Sequence, residues 1–199
     1  MRSTRLTVLA AALVAAVVLA ACGDDGSDSG DDDAAGADSS AADELAVDAN
    51  EGIDGVQAIR VDGNDHTEAE VDYDLRPPAG GAHNPVWVNC GFYDEPFDDE
   101  NLVHDLEHGT VWLAYAPDLS AADVDVIHDL ARDNKVVAAP YEDLDAGVAV
   151  VATAWARQLT VDAVDDPRLE QFVVQYEDGS QAPEASVTCE QSPLGTPIP

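Results

Sequence analysis

The chain has 199 residues and carries 41 acidic against 8 basic side chains, a formal net charge of −33. That balance excludes nucleic-acid binding, because nothing would neutralise a phosphate backbone. It suits a salt-adapted or simply acidic proteome, and it raises the cation concentration near the protein surface.

Arg2 and Arg5 precede an uncharged run, residues 6–21, too short for a comfortable membrane span. A basic start, a short apolar core and small closing residues describe an export signal over 1–21. The run ends on Leu19-Ala20-Ala21-Cys22, followed by Gly23 and Asp24. This resembles the lipobox of bacterial lipoproteins, in which the cysteine takes a lipid (palmitate or a similar acyl chain) and becomes the first mature residue. The expectation is export and lipid anchoring to the extracytoplasmic side of the cell membrane through Cys22. Residues 22–50 are dominated by Asp, Ser, Gly and Ala. They bury too little apolar surface to offset ordering entropy, so they read as a disordered acidic linker.

Residues 51–190 are long enough for one domain with a real core, followed by a short tail at 191–199. Setting Cys22 aside leaves Cys90 and Cys189, which in an exported protein predict a disulfide. A metal site using these cysteines ranks below that, since neither has a second cysteine or a histidine at ligand spacing. Residues 56–61 alternate apolar and polar and predict a strand, with a turn at 62–65 and His66 after it. Short strands are expected at 71–75 and 86–88. Between them, the prolines and glycines of 77–85 exclude a helix and make a stiff loop that presents His83.

Asp98 or Asp99 can open a helix over 100–108, and Gly109 suits the left-handed residue that ends one. On that helix Leu102, Val103 and Leu106 share a face, and His104 and His108 stand one turn apart on nearly the opposite face. As strand residues the two histidines would lie about 13 Å apart, too far to share an ion. Residues 110–115 are apolar on both faces and predict a central strand. A helix over 121–133 follows, capped by Ser120 with Asp123 and burying Val124, Ile127 and Leu130; His128 on it is structural or surface. Strands at 136–139 and 148–155 come next, then a helix opened by Asp166-Pro167 with Leu169, Phe172, Val173 and Tyr176 as its stripe. The order predicts a single compact α+β domain, a mixed β-sheet with two to three helices. It also matches the second half of a thioredoxin-like layout, but without a CxxC pair that redox chemistry is absent.

Several strings are distinctive: G-G-A-H-N-P at 80–85, C-G-F-Y at 90–93, V-H-D-L-E-H-G-T-V-W at 103–112, A-W-A-R-Q-L at 154–159 and P-E at 183–184. With His66, Tyr73-Asp74, Pro77-Pro78, Trp87 and Pro117-Asp118-Leu119 they resemble the DUF3105 family, a bacterial envelope family of unknown function. The resemblance covers essentially the whole domain and implies no activity.

His66, His83, His104 and His108 all fall within these strings. They predict a transition-metal site, with His104 and His108 from one helix, His83 from the stiff loop and His66 as a further candidate. Imidazole suits Zn²⁺ or Cu²⁺, and the one methionine is Met1, so a Met-rich Cu(I) site is excluded. Glu107 would be a ligand, a hydrogen-bond partner of a ligand, or a base. H-D-L-E-H also fits the H-x-x-E-H pattern of one class of zinc peptidases, in which Glu107 would be catalytic. Three roles stay open: a metal-binding domain that senses, carries or scavenges; a zinc-dependent hydrolase; and a structural or partner-binding envelope domain without metal.

Overall fold

A computed structural model describes residues 52–199 together with the short strand Ala46–Asp48. The expected export signal, Cys22 and nearly all of the linker lie outside the described residues. Among the described residues no helix is long and apolar enough to cross a membrane.

The sheet is built around β4, Val111–Tyr115, in which every residue is buried. Successive side chains of a strand point to opposite faces. Here Val111, Leu113 and Tyr115 enter one apolar cluster, Trp112 and Ala114 another. A strand apolar on both faces belongs inside a sheet covered on both sides. The other strands are β1 (Ala46–Asp48), β2 (Gln57–Ile59), β3 (Gly91–Phe92), β5 (Val136–Pro140), β6 (Val150–Ala154) and β7 (Arg157–Val161). They run in the order β1-β2-β7-β6-β4-β5-β3. β4 pairs parallel with β5 and antiparallel with β6, so the sheet is mixed.

Three helices cover it. α1 (Asp99–Glu107) packs Leu102, Val103 and Leu106 with Trp112 and Val137 on one face. α2 (Ala121–Arg132) and α3 (Pro167–Tyr176) cover the other face with Ile127, Ala131, Leu169, Phe172 and Val173. The result is the expected α+β domain. α2 starts where Ser120 accepts from the Asp123 N–H (3.3 Å), and α3 where Asp166 accepts from the Arg168 N–H (2.9 Å). On α2, Val124 and Leu130 are only partly buried; Ile127 and Ala131 carry the contact.

Two expected strands do not form, and three strands arise where none is expected: β1, inside the stretch read as a disordered linker, the two-residue β3, and β7. Residues 71–75 are irregular: the Val71 N–H donates to the Glu100 carboxylate (2.7 Å) and Tyr73 donates to the Ala82 carbonyl (2.7 Å), so side chains take the place of a ladder. In 86–88 a single bridge, Val88 with Leu194, is all that remains. The Val88 N–H goes instead to the Asp105 carboxylate (2.9 Å). The longest of the added strands is β7, which follows β6 through the two-residue turn Trp155-Ala156.

Cys90 and Cys189 form a disulfide across a sequence separation of 99. Beyond it the C-terminal residues run along β3: the Ile198 N–H donates to the Phe92 carbonyl (2.9 Å), and the Asn89 amide reaches the carbonyls of Ser192, Leu194 and Gly195.

Candidate metal centre

α1 sets the geometry. Its apolar face is pressed on the sheet, and irregular chain covers its polar face, so residues 101–107 are all buried. Asn101 donates to the Val86 carbonyl (2.6 Å) and the Glu100 carbonyl accepts from Asn84 (3.2 Å), tying the 80–90 loop to the helix. The helix stops where Gly109, at φ +86°, donates to the Leu106 carbonyl (3.1 Å). That loop is itself paired with the irregular segment 62–67, where the expected turn does not form. His83 donates its N–H to the Asp65 carbonyl (3.0 Å) and its carbonyl accepts from Thr67 (2.7 Å), a parallel bridge that sets His66 beside His83. Gly80 permits the approach: a Cβ there would lie 2.8 Å from Val61 Cγ1.

These contacts bring His66, His83, His104 and Glu107 together, each offering a ligand atom within 4.8 Å of the others. His83 is fully buried, Glu107 and His104 nearly so, whereas the His66 side chain is 49% exposed and opens the cluster to solvent. Both buried imidazoles are oriented by backbone carbonyls. His83 Nδ1 donates to Gly81 (2.8 Å) and His104 Nδ1 donates to Asn84 (2.6 Å). A carbonyl only accepts, so each Nδ1 carries a proton. The inward-facing Nε2 of His83 lies 3.0 Å from Glu107 Oε2, and that of His66 lies 3.4 Å from the same oxygen. His66 stacks on His104 with centroids 4.9 Å apart, and His83 lies 5.0 Å from His104.

A family model described as "Protein of unknown function (DUF3105)" matches residues 65–191, from just before His66 to just past Cys189. The chain belongs to the DUF3105 family. No curated protein and no solved structure matches it.

Within this DUF3105 domain the electrostatics of the cluster are compatible with a cation. Burial pushes the Glu107 carboxyl up, but the Asn64 hydrogen bond (2.6 Å) and the neighbouring His83 and His104 rings outweigh it and hold it below its ordinary value. Burial, with His83 and His66 nearby, pushes the His104 imidazole down. An ionised carboxylate beside a neutral imidazole is the protonation state a divalent metal requires.

The structure places His108 at the edge of the group. Its Nε2 is 3.0 Å from His104 Nε2, yet it stands outside the four residues that converge. His128 is remote from them, edge-on to Phe92 and bonded to the Ile198 carbonyl. Several participants had not been singled out. Asn64 sits in irregular chain, 43 residues from the carboxylate it holds. Trp155 meets His83 edge-on at 6.1 Å. Asp105, fully buried, has its carboxyl held well above the usual range by desolvation, against the opposing bond from Val88. H-D-L-E-H contains Asp105 in plain view, but nothing in its spacing marks it as the acid that accepts from the Val88 N–H.

Proposed function

We propose that the domain binds one divalent transition metal, Zn²⁺ before Cu²⁺, through His66, His83, His104 and Glu107. One observation carries this reading. The buried His83 Nε2 faces the Glu107 carboxylate at 3.0 Å, a contact that a shared proton or a bound cation makes attractive. Metal-bound histidines characteristically donate their other ring N–H to a backbone carbonyl or carboxylate, as His83 and His104 do. Three imidazoles and one carboxylate, without sulfur, match Zn²⁺ chemistry. With bonds of about 2.0–2.1 Å, a tetrahedral shell has ligand atoms about 3.3 Å apart. The group spreads over up to 4.8 Å, and the His83 and His66 Nε2 atoms already lie 3.0 and 3.4 Å from Glu107 Oε2, near that separation. Glu107 acts as a ligand rather than a base, since Oε1 is held by Asn64 and Oε2 faces the histidines.

The setting we propose is extracytoplasmic. The basic, apolar, cysteine-terminated N-terminus supports lipid anchoring through Cys22, and the disulfide suits an oxidising compartment. The role is to sense, carry or scavenge the metal. Elemental analysis of the purified full chain with and without added Zn²⁺ tests the site, and one equivalent is expected. His83→Ala and His104→Ala should each remove most of the affinity, and His128→Ala little. Equally weak binding by wild type and His104→Ala would leave only a structural role for the cluster.

A further inference from the structure

Two imidazole Nε2 atoms 3.0 Å apart attract only if one of them carries a proton. His104 donates through Nδ1 to the Asn84 carbonyl, which leaves its Nε2 a lone pair. His108 is therefore the donor. Its other nitrogen, Nδ1, is then a bare acceptor, and that atom is buried with no hydrogen-bond partner. A metal ion on His104 needs the very lone pair that His108 occupies, so binding leaves the His108 Nε2–H without an acceptor.

Another acceptor is at hand. Glu184 Oε2 lies 3.8 Å from His108 Nε2, on a side chain 55% exposed and so free to close the remaining distance. Its backbone is fixed where it is needed: the Glu184 N–H donates to the Glu107 carbonyl at 2.9 Å. Trp87 packs against both rings, 5.6 Å from His104 and 5.3 Å from His108, and confines His108 to small rotations.

We propose that His108 is a displaceable hydrogen-bond donor rather than a ligand: it caps the His104 lone pair in the metal-free protein and passes its Nε2–H to Glu184 when metal binds. This rests on the metal reading of the cluster. The N–H bond stays intact and no proton is released; only the acceptor changes. His108 and Glu184 are thus positioning residues. In the metal-free protein the His104 lone pair is satisfied internally, and an ion must displace that one hydrogen bond, which Glu184 then restores with charge assistance.

Zn²⁺ affinity of the full chain, by competition with a chromophoric chelator, tests the exchange together with imidazole nitrogen–proton correlation spectra. The spectra should show His104 protonated at Nδ1 and His108 at Nε2, with Zn²⁺ shifting the His108 Nε2–H signal in wild type but much less in Glu184→Gln. Glu184→Gln should weaken Zn²⁺ binding by about 10-fold, the advantage of a charge-assisted over a neutral hydrogen bond to His108. His108→Phe should bind Zn²⁺ at least as tightly as wild type and should abolish the effect of Glu184→Gln. Loss of Zn²⁺ uptake in a folded His108→Phe protein overturns the proposal and makes His108 a ligand. An undiminished Glu184→Gln effect in that background overturns it too. Should His108→Phe not fold, the wild-type spectra decide: His108 protonated at Nδ1 sinks the exchange. No uptake by wild type overturns the metal reading itself, a failure visible before any variant is made.

Discussion

Burying histidines in neutral form couples the stability of the metal-free domain to pH. Burial first, then the neighbouring His104 ring and the Lys135 ammonium, push the His108 imidazole down to about 4. His104 is shifted in the same direction. In the unfolded chain both titrate near the ordinary value of about 6.5. Between the two values the unfolded state binds more protons than the folded one, so stability rises with pH across that window. It is fully present above about 6.5 and is lost as pH falls from there towards about 4. Urea midpoints of the full chain with chelator present should therefore drop steadily from pH 7 to pH 5. His108→Phe should flatten part of that slope, and an unchanged slope would mean that His108 titrates normally in the fold. The pair at 104 and 108 was legible as a one-turn spacing. That both rings would be buried was not, because the cover comes from loops of irregular chain whose path no periodicity encodes.

α1 and its stop show what an element contributes beyond its own residues. Gly109 ends the helix at φ +86°, and a Cβ there would meet Asp178 Cα at 3.1 Å. The Asp178 N–H donates to the Gly109 carbonyl (2.8 Å), so the stop also docks the segment that carries Glu184 and Cys189. Gly109→Ala combines left-handed strain with a clash against backbone and should cost about 1–3 kcal/mol, read as a lower melting temperature. A variant as stable as wild type would show that this segment moves freely. The glycine, the leucine face and the two-sided apolar run of β4 were each legible from local pattern. β7 was not. Its hairpin turns on Trp155-Ala156, with Ala156 at φ +59°, where the usual signal would be Asn-Gly or Asp-Gly. Without that signal the apolar run through residue 155 gives no cue that the chain reverses. Residues 71–75 misled for the opposite reason: their alternation is real, but the Val71 N–H that a neighbouring strand would have paired goes to Glu100, and the Tyr73 hydroxyl is tied to the Ala82 carbonyl.

At the scale of the molecule, the lipid proposed on Cys22 and the disulfide divide anchoring from folding. Cys22→Ser should release the exported protein from the membrane fraction, since an acidic linker offers no second attachment. A mutant that still sediments with membranes at high salt would refute the lipid anchor. The second feature is the disulfide. It joins the start of β3 to the segment beyond Glu184, with a sequence separation of 99. Closing a loop of that size lowers the entropy of the unfolded chain, and the chain-entropy model puts the stabilisation near 4–5 kcal/mol, about the upper end of the usual range. Its ends are also held without it: the Cys90 N–H donates to the Cys189 carbonyl (3.1 Å), and Asn89 binds three carbonyls beyond. Lys135, the one lysine of the chain, adds bonds to the His108 and Val187 carbonyls (2.8 and 2.6 Å). The folded conformation should therefore survive reduction with its stability lowered by about 2–5 kcal/mol. Neither sulfur belongs to the group of His66, His83, His104 and Glu107. Zn²⁺ stoichiometry should thus be the same in wild type and in Cys90→Ser/Cys189→Ser, while the urea midpoint falls. Loss of metal together with the disulfide, at a denaturant concentration where the variant is still folded, would mean that the bridge holds the ligand loops in place.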